Sequence, residues 1–144
     1  MNTPCTKTFV LAGLLELASL AASTNVLAAP LLRCDLTYAG ATQSIEASPV
    51  NDPYTVPSVD IGGRFRFKAV MVGNTSQLER IVLYAYFNAR TDTGHQPQLI
   101  QQVKYLPPFK TSATPYPLTG EQRLYAGTAE RELIYSCTLE GVQP

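Results

Sequence analysis

The stretch Arg64–Ala89, RFRFKAVMVGNTSQLERIVLYAYFNA, decides the fold. At its start Phe65, Phe67, Ala69 and Met71 alternate with Arg64, Arg66 and Lys68. A period of two marks a strand with one buried and one solvated face. Gly73-Asn74-Thr75-Ser76 is turn chemistry. Alternation then resumes, with Ile81, Leu83, Ala85 and Phe87 on one side and Val82, Tyr84, Tyr86 and Asn88 on the other. Two such runs around a polar turn predict a β-hairpin. Setting Val72 opposite Leu78 places Arg66 against Tyr84 and Arg64 against Tyr86. A one-residue slip would bury three cations and expose Phe65 and Phe67, which is strongly disfavoured.

The same period extends outward. Gln98–Leu106 continues the meander as a third strand, with Leu99, Val103 and Tyr105 facing in and Gln101 as a polar exception. Leu99 opposite Ala89 brings Lys104 beside Tyr84 and Gln102 beside Tyr86. Upstream, Leu32, Cys34, Leu36 and Tyr38 alternate with polar residues, and 42–47 reads as a second short strand. The prolines at 49, 53 and 57 mark a loop or irregular edge. Downstream, the proline-rich run 107–117 separates the meander from strands at 120–126 and 131–139. Short strands at this spacing predict an all-β domain, a small two-sheet antiparallel sandwich, with a small closed β-barrel as the alternative.

Residues 1–28 read as a secretory signal peptide and 29–144 as a single all-β domain. Lys7 precedes the apolar run Phe9–Ala22, which is too short to span a bilayer, and Val26-Leu27-Ala28 fits a cleavage site. No transmembrane segment is expected in the mature chain, which is exported and periplasmic or secreted. Of the cysteines, Cys5 leaves with the leader, while Cys34 and Cys137 remain as an even pair on the apolar faces of their strands. A disulfide between them, beneath or between sheets, suits an oxidising compartment. Tyr135-Ser136-Cys137 is similar in spacing to the tyrosine corner of immunoglobulin domains. The chain has no Trp, however, and its cysteines lie near opposite ends, so it is not placed in that superfamily.

The chemistry is narrowed by composition. Eleven Lys+Arg balance eleven Asp+Glu, which disfavours nonspecific nucleic-acid binding. A single histidine, His95, excludes a metal site that needs two, and no cofactor motif is present. No Gly-x-Ser-x-Gly elbow occurs, and no catalytic residue is assigned. The constellation that stands out is the polar side of the meander: Arg64, Arg66, Lys68, Tyr84, Tyr86, Gln102 and Lys104, with Asn88 alongside. Cations beside tyrosine platforms suit an acidic saccharide or a protein partner. The expectation is a noncatalytic exported envelope protein, a binding or accessory module. One alternative is an inhibitor presenting the 107–117 loop to an exogenous hydrolase. Another is a small carboxylate-based hydrolase.

The leader reading predicts that exported material begins at Ala29 or, less favoured, at Pro30. Intact-mass measurement checks this, and a mass that retains residues 1–28 overturns it.

Overall fold

Leu32, Cys34 and Leu36 occupy every second position of strand β1 (Leu31–Tyr38) and are fully buried, while Arg33 and Asp35 between them face solvent. The computed structural model describes residues 28–143; apart from Ala28, the segment read as a signal peptide lies outside the described residues. The remaining strands are β2 (Ala41–Ala47), β3 (Pro49–Val50), β4 (Val59–Ile61), β5 (Phe65–Gly73), β6 (Leu78–Thr91), β7 (Gly94–Tyr105), β8 (Tyr116–Pro117), β9 (Gln122–Ala126) and β10 (Arg131–Glu140). They form two sheets. The first runs β2-β1-β10, with β8 and β9 pairing successive parts of β10. The second runs β5-β6-β7, with β3 and β4 on the outer edge of β5. Neither closes into a barrel, so the fold is the two-sheet sandwich.

The core lies where the inner faces meet. Leu32, Leu36, Leu133, Tyr135 and Leu139 from the first sheet pack against Phe65, Phe67, Met71, Ile81 and Leu83 from the second. Tyr135 reaches across the layer: its ring lies 4.9 Å from that of Phe67. Its hydroxyl donates to Gln101 Oε1 at 2.6 Å. That bond explains why a polar Gln101 points inward. It also separates Tyr135 from a tyrosine corner, whose hydroxyl bonds nearby backbone.

The bridge links Cys34 to Cys137, which are direct cross-strand neighbours, so it lies within the first sheet rather than between sheets. Cys137 turns its backbone polar groups away from β1: its N–H donates to Thr119 Oγ1 and its carbonyl accepts from Leu118. The pair is therefore of the non-hydrogen-bonded kind, where Cα atoms approach closely, here to 4.1 Å.

The meander keeps its expected faces but not its expected partners. Val72 lies opposite Arg80, and Arg66 and Lys68 lie opposite Tyr86 and Tyr84. The shift arises at the turn. Asn74 Oδ1 accepts from the N–H groups of Ser76 and Gln77, and a bulge follows between Val72 and Gly73. Gly73 has φ 137°, and a Cβ there would run into the Gln77 carbonyl. The slip is by two residues, so side chains stay on their sides. β6 and β7 also run longer than expected, to a two-residue turn at Asp92-Thr93. A second bulge between Ala85 and Tyr86 inserts Ile100. Ile100 packs on the core, while Leu99 turns outward opposite Tyr86 and is 51% exposed, reversing its expected facing.

Burial, reinforced by the neighbouring Tyr105, pushes the Tyr135 phenol up to about 12 from its ordinary 10.0. The neutral phenol stabilises the fold fully below its ordinary value, and this contribution is lost as pH rises through the folded one. Denaturant melts between pH 9 and 12 should show falling stability. Tyr135→Phe should flatten that slope while lowering neutral-pH stability by about 1 kcal/mol.

Candidate functional site

Alternation on β5 and β6 turns Arg66, Lys68, Val70 and Val72 to the outer side of the second sheet, together with Val82, Tyr84 and Tyr86. β7 adds Gln102 beside Tyr84 and Lys104 beside Val82. Six of the seven expected site residues therefore share this face: Arg66, Lys68, Tyr84, Tyr86, Gln102 and Lys104. Tyr84 and Tyr86 lie nearly parallel, with ring centroids 6.3 Å apart. Lys68 Nζ sits 6.0 Å from the Tyr84 ring centre, within cation–π range. Burial, and then the adjacent Tyr84, raise the Tyr86 phenol above its ordinary range.

Part of the face is roofed. Val70, Val72 and Val82 point outward yet are 5% exposed or less. The segment between β3 and β4 arches over them as the short 3-10 turn Pro53–Thr55, capped by Asp52 Oδ1 accepting from the Tyr54 N–H. A hollow of about 160 Å³ remains under the arch, walled by Tyr54, Lys68, Arg80 and Tyr84. Tyr54 stands at the rim, 91% exposed. The arch is tied down by Arg66, whose Nε donates to Ser58 Oγ at 2.8 Å and whose Nη2 donates to the Ser58 carbonyl at 3.1 Å. Arg66 is thus an anchor of the surface. Tyr54 and Arg80 were not anticipated, although Asp52-Pro53 is a recognisable turn signal.

Three features of this face depart from simple alternation. Asp60 stands opposite Arg66 because 59–61 forms a strand on the edge of β5, which brings an acid to this face. Asp60 Oδ1 accepts from the Gly63 N–H and lies outside ion-pair range of Arg66. Arg64, in the turn before β5, leaves the group: its Nη1 donates to His95 Nε2 at 3.3 Å, at the far end of the β6–β7 hairpin. Asn88, expected alongside, is nearly buried and donates to the Gly63 carbonyl.

The outer face of the first sheet has the opposite character. Arg33 pairs with Glu46 at 2.7 Å, and Arg123 is held between Glu121 and Glu132 at 2.7 and 2.9 Å. Tyr125 also donates to Glu132. The hydrogen bonds from Tyr125 and then Arg123 hold the Glu132 carboxyl below its usual range. Asp35 and Glu140 share this side, so carboxylates outnumber cations on it. The neutral molecule thus has one acidic and one basic broad face.

The 107–117 run crosses from the second sheet to the first with its aromatics folded back. Phe109 and Tyr116 pack against the core, and Lys110 lies 5.5 Å from the Tyr116 ring centre. Gly141 N–H donates to the Ser112 carbonyl at 2.7 Å, pinning the loop to the C-terminal segment. Among the described residues, no three His, Cys, Asp or Glu side chains gather as a metal site would require. Compared with models of protein families, with curated proteins and with solved structures, the chain matches none.

Ser58→Ala should remove one of the two bonds holding the arch and destabilise the protein by about 1 kcal/mol. Limited proteolysis within 51–58 should accelerate while the core remains resistant; unchanged cleavage would show that Arg66 does not anchor the arch.

Proposed function

We propose that the protein is a noncatalytic exported binding module that recognises an acidic saccharide along the outer face of its second sheet. The observation that carries this reading is the arrangement of Lys68 and Lys104 around exposed tyrosine surface. Among the described residues, neither lysine has a carboxylate oxygen within 4 Å. Tyr54, Tyr84 and Tyr86 offer flat apolar surface to sugar rings, the lysines offer charge, and Gln102 offers hydrogen bonds. The acids that could compete are gathered mainly on the opposite sheet, so the local potential attracts anions although the net charge is zero.

The Cys34–Cys137 bridge supports an oxidising destination, periplasmic or secreted. Among the described residues, no helix is long and apolar enough to cross a membrane. The noncatalytic reading is supported by Glu46, Glu121 and Glu132, which are engaged with arginines on an open face. The inward-folded Phe109 and Tyr116 favour a sheet-face binder over an inhibitor that inserts the 107–117 loop.

The exported chain should bind immobilised polygalacturonate, and added salt should weaken the complex. The pair Lys68→Gln and Lys104→Gln should lower affinity by about three- to tenfold, as expected for two exposed charge contacts, and leave folding intact. Equal binding by this double variant, or equal binding of neutral dextran, overturns the reading. Capture of an envelope protein through the same lysines, without polyuronate binding, would instead establish a protein partner.

A further inference from the structure

Arg64, Arg90 and Arg131 come from three separate parts of the chain, the turn before β5, the β6–β7 hairpin and the start of β10. All three line one cleft of about 460 Å³. The cleft lies at the end of the sandwich, between the hairpin and the β9–β10 turn. No carboxylate lines it, and among the described residues none of the three guanidiniums has a carboxylate oxygen within 4 Å. Gathering like charges around one hollow is unfavourable in the empty protein. An oxyanion would offset that repulsion, and guanidinium forks match carboxylate and phosphate geometry.

The site has built walls. Arg64 Nη1 is held by His95 at 3.3 Å, and Arg131 Nη1 donates to Tyr38 Oη at 3.3 Å. The floor includes the Phe87 ring. The β9–β10 turn comes down on that ring so closely that a Cβ on Gly127, which has φ +78°, would meet it at 2.7 Å. Asn88, Gln98 and Thr128 complete the polar lining. Charged forks, neutral hydrogen-bonding groups and an aromatic wall in one hollow of this size are the elements that a small polyhydroxylated anion needs.

We propose that this cleft is a binding site for a single anionic monosaccharide unit, a uronate or a sugar phosphate, with its oxyanion between Arg64, Arg90 and Arg131. The site does not depend on the sheet-face reading, since neither Lys68 nor Lys104 lines it.

The test is a two-dimensional ¹H–¹⁵N NMR titration of the full exported chain at constant ionic strength. The probes are glucuronate, glucose 6-phosphate, inorganic phosphate and neutral glucose. Glucuronate and glucose 6-phosphate should give saturable shifts at residues 87–90 and 127–131, and glucose should give none. Arg90→Gln and Arg131→Gln should each weaken binding by about tenfold, the scale of one hydrogen bond to a charged group. Arg90 is exposed, so its variant should keep the native spectrum even if loss of the Tyr38 bond disturbs the other. The Lys68→Gln, Lys104→Gln double variant should bind these probes as tightly as wild type. Absence of saturation through the millimolar range overturns the proposal, as does wild-type affinity in Arg90→Gln. Inorganic phosphate binding as tightly as glucose 6-phosphate would overturn the sugar as the ligand.

Discussion

The pairing of the first described strand with the last holds the first sheet together. β1 lies between β2 and β10, and β8 and β9 join only through β10, so without the β1–β10 ladder that sheet falls into two pieces. The ladder runs from Leu31 opposite Glu140 to Tyr38 opposite Leu133, and the disulfide pins it at Cys34 and Cys137 across a separation of 103 residues. Constraining so long a loop stabilises the fold by about 4.7 kcal/mol in the chain-entropy model, comparable with the net stability of a small domain. Bringing distant ends together is also slow, because loop closure must precede the contacts that reward it. Once formed, the bridge retains that contact when the rest of the chain opens.

This anchored sheet lets the other specialise. The β5–β6–β7 meander is local in sequence and carries the cations outward. On the first sheet Glu46, Glu121 and Glu132 are engaged by arginines, and Glu132 also by the Tyr125 hydroxyl. A chain with zero net charge therefore has two surfaces of different potential. Composition alone conceals this, since a whole-chain sum erases the separation that alternation creates strand by strand.

Alternation explains which parts of the fold could be read in advance. Phe65, Phe67, Met71, Ile81 and Leu83 were legible as core and Lys68, Tyr84 and Tyr86 as outward, because facing depends only on parity. Cross-strand partners depend on turn and bulge geometry. The Asn74 turn moved Arg66 from Tyr84 to Tyr86 without changing sides. Where a bulge added one residue, parity itself failed, and Leu99 exchanged places with Ile100. The arch over Val70, Val72 and Val82 was unreadable for another reason. Three outward valines look like a two-sided buried strand, and what covers them comes from an irregular segment. The arginine cleft was hidden too, since Arg64, Arg90 and Arg131 lie far apart in sequence and converge only through the packing of three elements.

The antiparallel run of β1 and β10 gives the molecule two poles. Ala29 and the C-terminal segment meet at one, where a Cβ on Gly141 would run into the Ala29 carbonyl. Tyr38 and Arg131 meet at the other, beside the cleft. A strand of eight residues separates the poles by about 25 Å. Whatever is attached through either end, whether a leader still in a translocation channel, a neighbouring domain or a surface linkage, joins the same pole. A molecule tethered in that way would carry the arginine cleft at the pole away from its support.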